Sequence, residues 1–155
     1  MRGRIDRVDR VKEHEYEVWD YKTGSNYGYK EEGFLDGCRH LQHALYALAA
    51  ELILRKKGDK KAKVVRSGYF FPSPKGEGLR IAKIQDKRER VYQALGDLFE
   101  LLRTGVFPAS CDKDPCGICD YTAVCGGADI AVPRSKSKIE NDMKMAALKR
   151  VMNHA

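Results

Sequence analysis

The sequence predicts an α/β domain in which a mixed central sheet is flanked by helices and followed by a C-terminal cysteine cluster segment. Three observations carry this reading: short segments that alternate in polarity, apolar residues at helical spacing between them, and four of the five cysteines gathered between residues 111 and 125. A chain of 155 residues has room for one domain with its own core. Its 43% hydrophobic and 33% charged residues exclude both a disordered chain and a membrane-embedded one. No apolar run reaches bilayer length, and the stretch after Met1-Arg2-Gly3-Arg4 lacks the apolar character of a secretion signal. A cytoplasmic protein with no membrane partner is expected.

Residues 2–9 alternate in polarity, as do Tyr16 to Lys22, and both read as strands. The link Arg10–Glu15 is short and polar, which predicts an antiparallel hairpin. Thr23-Gly24-Ser25-Asn26 has turn chemistry, and the Gly- and Tyr-rich stretch to Gly37 reads as a loop. From Cys38 to Lys57, residues Leu41, Ala44, Leu45, Leu48 and Leu52 recur at helical spacing, and Gly58 closes the helix. Val64 to Phe71 and Leu79 to Ile84 read as strands around a turn over Pro72–Gly78, with Tyr69-Phe70-Phe71 in the sheet core. A second helix runs to about Thr104, with Val91, Leu95, Leu98, Leu101 and Leu102 on its apolar side. Beyond the cysteines, Pro133 to Lys138 reads as a basic linker, and Met143, Ala147 and Val151 mark a tail helix over Ile139–Asn153. The expected division is a core with its cysteine segment over residues 1–132, then linker and tail helix over 133–155.

Lysine and arginine number 29 against 22 acidic residues, a net charge of +7, which favours a polyanionic partner, most simply nucleic acid. The chemistry that fits such a partner is in the hairpin. Side chains two apart on a strand share a face, so Asp20 and Lys22 point the same way. If the two strands pair, Asp6 converges with Asp20. Two carboxylates suit a hard divalent cation, Mg²⁺ or Mn²⁺, and an adjacent lysine suits the charge that develops on a phosphate. Taken alone, Asp-x-Lys on a strand is also a common solvated ion pair.

Three segments occur in order: Gly3-Arg4-Ile5-Asp6-Arg7-Val8-Asp9, Val18-Trp19-Asp20-Tyr21-Lys22-Thr23-Gly24, and Leu41-Gln42-His43-Ala44-Leu45-Tyr46-Ala47. Together they resemble the PD-(D/E)xK nuclease superfamily, specifically its RecB-type exonuclease branch, which includes helicase–nucleases of recombination and CRISPR adaptation nucleases. The resemblance covers about residues 3–126 and implies a restriction-endonuclease-like fold. It implies that Asp6 and Asp20 hold the metal with the Tyr21 carbonyl, that Lys22 is the catalytic lysine, and that Gln42 and Tyr46 form a Gln-x-x-x-Tyr motif. Residues four apart share a helix face, so Gln42 and Tyr46 can present one polar pair. The expected reaction is hydrolysis of DNA, on single-stranded or free ends, with a helicase or integrase as partner protein.

Cys111, Cys116, Cys119 and Cys125 give the spacing C-x4-C-x2-C-x5-C, which reads as metal ligation; zinc and an iron–sulfur cluster both fit the spacing. Pro115 to Cys125, following Gly105-Val106-Phe107-Pro108, is similar to the end of iron–sulfur RecB-type nucleases. That resemblance implies a 4Fe–4S cluster on Cys116, Cys119 and Cys125. In the family the fourth cysteine precedes the nuclease core, where this sequence has none. The chain is therefore expected to be either a fragment or a short form in which Cys111, or less readily Cys38, is the fourth ligand.

Lys56, Lys57, Lys60, Lys61 and Lys63 form a basic run suited to phosphates beside a nuclease site, with Arg4, Arg7 and Arg10 adding to it. Tyr27 and Tyr29 suit base stacking and loop packing equally. His40 and His43 flank Gln42 on the helix, near any bound DNA. Two rival readings follow from the same residues: a non-catalytic DNA-binding scaffold, and a zinc-stabilised interaction domain with Asp20 and Lys22 as a surface pair.

Overall fold

The computed structural model describes residues 3–154. The chain divides into two compact units, the first ending at Val91 and the second running Tyr92–His154.

In the first unit β1 (Arg7–Lys12) and β2 (Glu15–Tyr21) form the expected antiparallel hairpin, in register from Arg7 opposite Trp19 to Lys12 opposite Glu15. The first strand starts later than its alternation indicates, with residues 3–5 irregular and a bend at Asp6; Arg2 lies outside the described residues. The Asp6 side chain sets this limit: β2 runs on to Tyr21, but Tyr21 N–H donates to Asp6 Oδ2 at 3.0 Å and not to the main chain of the first strand. β3 (Lys63–Phe70) runs parallel to β2, so the connection must cross over, and it does so through α1 (Gln42–Lys56). β4 (Arg80–Ile84) returns antiparallel to β3, giving a mixed sheet in the order β1-β2-β3-β4. Gly68 is required where β3 meets β4, because a Cβ there would fall 1.9 Å from Ile81 O.

The face α1 buries differs from the one its leucines predict. His43, Ala44, Ala47, Ala50 and Glu51 are buried, while Leu52 is 61% exposed and Leu45 and Leu48 are half-buried. The alanines let the helix lie close on the sheet, where Ala47 and Ala50 pack against Tyr16, Val18, Ala62 and Val64. Tyr69, Phe71 and Ile81 form a further cluster with Tyr29 and Leu79. Tyr69 and Phe71 are thus core as expected, and Tyr29 is a packing residue, its ring 4.7 Å from that of Tyr69.

α2 (Arg88–Thr104) carries the division between the units and buries Val91, Ala94 and Leu101, with Leu102 exposed. The second unit continues with a 3-10 turn over Asp114–Ile118, α3 (Thr122–Cys125), α4 (Ala128–Asn141) and α5 (Ala146–Met152). Here the expected linker is corrected: Pro133 to Lys138 lies inside α4. Ala131, Val132, Ser135 and Ile139 are buried on one helical stripe, and that stripe outweighs the local charge run. The helix stops at Asp142, whose side chain accepts from Lys144 N–H, and the tail helix is the shorter α5, with Met143 92% exposed. No helix among the described residues is long and apolar enough to cross a membrane.

Candidate active site

β2 and the first turn of α1 assemble one polar chain. Asp20 stands one residue from the end of β2, opposite Tyr69 of β3, and is 5% exposed. Lys22 follows just past the strand, and its Nζ lies 2.6 Å from Asp20 Oδ2. Gln42 opens α1; it accepts from Lys22 Nζ at 2.9 Å, and its Nε2 donates to Asp20 Oδ1 at 3.0 Å and to Tyr46 Oη at 3.0 Å. The amide orientation is chemically forced, because an ammonium can only donate and a carboxylate can only accept. Lys22 also sits over the Tyr69 ring, 5.5 Å from its centroid. Burial draws the Lys22 ammonium towards its neutral form, but the Asp20 carboxylate beside it outweighs burial and raises the pKa above the ordinary lysine value.

Asp6 reaches the same place by another route. It lies on the bend before β1, and its Oδ2 accepts from Tyr21 N–H at 3.0 Å, beside the peptide that joins Asp20 to Tyr21. The Tyr21 side chain is partly exposed, edge-on to Phe70, and its hydroxyl accepts from Arg7 at 3.4 Å.

Whether this group suits a divalent cation can be tested on its oxygens. Asp20 Oδ2 is buried and receives no hydrogen bond, since Lys22 pairs with it by charge but not in hydrogen-bonding alignment. A buried carboxylate oxygen with undonated lone pairs, on a residue whose next amide donates to Asp6, fits a hard cation. Among the described residues no three His, Cys, Asp or Glu side chains form a metal-holding group. Asp20 is accordingly the buried carboxylate donor, and Asp6 and main-chain oxygen would be needed to complete a set.

His43 faces inward rather than towards DNA. It is 1% exposed; Nε2–H donates to Phe34 O at 2.8 Å, while Gln85 Nε2 lies 3.2 Å and Ser67 Oγ 3.3 Å from Nδ1. Burial lowers its pKa from 6.5 to about 4, so the unfolded chain binds the proton first. Neutral His43 therefore contributes stability fully above pH 6.5, and the contribution is lost as pH falls towards 4. The expected loss at pH 5 is about 2 kcal/mol. Urea midpoints at pH 7 and pH 5 check this: His43→Gln, though less stable at pH 7, flattens the dependence, and an equally steep dependence in the variant would refute the assignment. His40 is partly buried, with Nε2 3.0 Å from Gly28 O and its ring on Tyr29.

One positioning residue escaped sequence reasoning. Lys83 of β4 is 7% exposed, and its Nζ donates to the carbonyls of Lys30, Glu31 and Glu32 at 2.6, 2.6 and 3.1 Å. It pins the loop that leads from Lys22 to Gln42. The available signal is its place in the inward register of β4, where it shares a face with Ile81.

The four clustered cysteines belong to the second unit. All are free thiols; Cys116 Sγ points to Asp112 O at 3.6 Å and Cys125 Sγ to Thr122 O at 4.0 Å. They are close in sequence, yet no three of them converge. The Cys116 and Cys125 thiols each face a carbonyl of their own turn. Cys38 belongs to the first unit and is half-buried.

A mixed sheet β1-β2-β3-β4 with a helical crossover, backed by flanking helices, is a restriction-endonuclease-like α/β domain. The family profile of the PD-(D/E)XK nuclease superfamily matches residues 1–126, and the chain belongs to that superfamily. Membership carries a nuclease function, and nucleases of this superfamily typically use Mg²⁺ or Mn²⁺. No curated protein and no solved structure matches the chain.

Proposed function

We propose that the protein is a metal-dependent deoxyribonuclease of the RecB-type exonuclease branch, acting on single-stranded DNA ends in DNA repair, recombination or CRISPR adaptation. The observation that supports it most is the chain Lys22–Asp20–Gln42–Tyr46 with Asp6 beside it. Asp6, Asp20 and the Tyr21 carbonyl hold the divalent cation, which when bound polarises the phosphate and acidifies water. Lys22, held by Asp20 and Gln42, donates to the oxygen on which charge develops. Gln42 fixes both partners, so neither has to reorganise when substrate arrives. Tyr46 keeps Gln42 in the orientation that serves Lys22. Lys83 holds the intervening loop still.

The iron–sulfur reading belongs to the same proposal: Cys116, Cys119 and Cys125, with Cys111 as fourth ligand, hold a 4Fe–4S cluster as structure. The support is spacing and resemblance; zinc on the same residues is the alternative metal. Nothing in the hydrolysis depends on it. A helicase or integrase partner fits a nuclease that works from ends.

The test is cleavage of end-labelled single-stranded DNA with Mn²⁺ and with chelator, beside circular single-stranded DNA, on protein purified without oxygen and analysed for iron, sulfide and zinc. Metal-dependent shortening of the linear strand with the circle intact is the expected result. Equal cutting of the circle overturns the exonuclease assignment, and folded protein that cuts neither overturns the nuclease reading.

A further inference from the structure

The basic run does not lie beside Asp20 and Lys22. Lys63 opens β3 opposite Glu15, at the start of β2, whereas Asp20 is near its end. Five residues of strand separate the two, about 17 Å. This opposite end of the sheet is built by three pieces: the β1–β2 turn, the end of α1 and the loop into β3.

The loop is held rather than loose. Arg55 donates twice to Ala62 O, from Nε at 3.0 Å and Nη2 at 2.9 Å, and Lys63 N–H donates to His14 O at 2.8 Å. Asp59 is the one acid between residues 55 and 63, and it is turned inward. Its carboxylate takes the Tyr16 hydroxyl at 2.7 Å and lies 2.5 Å from His14 Nδ1. His14 reaches it from a left-handed backbone conformation, φ 60°. With Asp59 so occupied, Lys56, Lys57, Lys60, Lys61 and Lys63 are left exposed, and none is held in an ion pair among the described residues. A cationic rim on an ordered loop, with its acid withdrawn, binds a polyanion without first losing an ion pair or ordering the chain.

We propose that this rim is a second contact for the DNA backbone, remote from the bond that is cut, which anchors the strand while its end occupies the Asp20 site. The inference rests on the nuclease reading for its choice of partner. It gives the enzyme a phosphate contact that carries no sequence information.

The test is fluorescence anisotropy of a labelled 30-nucleotide single strand with the whole chain in chelator, across a salt series. Lys57→Gln, Lys60→Gln and Lys61→Gln together are expected to weaken binding at least tenfold at about 0.1 M salt and to reduce the slope of log affinity against log salt by about 2. The matching triple arginine variant is expected to bind as the parent does. An unchanged slope in the glutamine variant, or a parent that does not bind in chelator, overturns the rim. Failure of the nuclease reading appears elsewhere, as folded protein that cuts neither linear nor circular single strands with Mn²⁺, so the two failures are distinguishable.

Discussion

Asp20→Asn is expected to lower DNA cleavage by about 10³-fold, which corresponds to about 4 kcal/mol in the transition state. The reason is visible in what surrounds the carboxylate. One oxygen accepts from Gln42 Nε2 and the other faces Lys22 Nζ, so both neighbours are donors. An asparagine must turn its own NH₂ towards one of them, and whichever it chooses loses a partner. The undonated lone pairs of Oδ2 that suit a cation are lost at the same time. A stability cost of about 1–3 kcal/mol accompanies the change, because a buried polar group is left without its partner. Activity should therefore be measured where urea titration shows the variant folded. Lys22→Met is the companion: about 10²-fold slower, with Asp20 intact. A Lys22→Met protein that cuts as fast as its parent would remove Lys22 from the mechanism.

The largest stability effect is expected at Glu51. This carboxylate is 8% exposed on the sheet-facing side of α1. Its Oε1 accepts from Val64 N–H at 2.7 Å and from Arg88 Nη2 at 2.5 Å, and Arg55 lies 3.5 Å from Oε2. It thus satisfies a strand amide beside the register shift between Tyr16 and Glu17 and pairs a guanidinium that is itself largely buried. Glu51→Ala removes the acceptor from both and is expected to cost about 3–5 kcal/mol. Glu51→Gln keeps an acceptor for Val64 N–H but loses the charge, and should cost roughly half as much. Urea midpoints for the two variants, compared at constant slope, check the order and size; a loss below about 1 kcal/mol for Glu51→Ala would mean that the pair contributes little.

Several features were legible because they are local. A period of two on β2 puts Asp20 and Lys22 on one face, and a spacing of four on α1 lets Gln42 meet Tyr46, wherever the rest of the chain goes. The hairpin followed from its short polar link, and the need for a crossover helix follows once β2 and β3 run parallel. The mixed sheet with flanking helices and the superfamily were within reach of the sequence for that reason.

What only the tertiary structure decided depends on partners far along the chain. Leu52 and Ala50 are both apolar and both helical; the sheet surface that α1 lies on selects the alanine. Asp6 enters the site by capping the Tyr21 amide rather than by alternation along a strand. Pro133 to Lys138 is helical because Ala131, Val132, Ser135 and Ile139 are buried together. The lysines from 56 to 63 occupy the end of the sheet opposite Asp20, a placement that no spacing encodes. Periodicity is a property of neighbouring residues, set by backbone geometry. Burial, register and the company a charge keeps are properties of surfaces that meet only on folding.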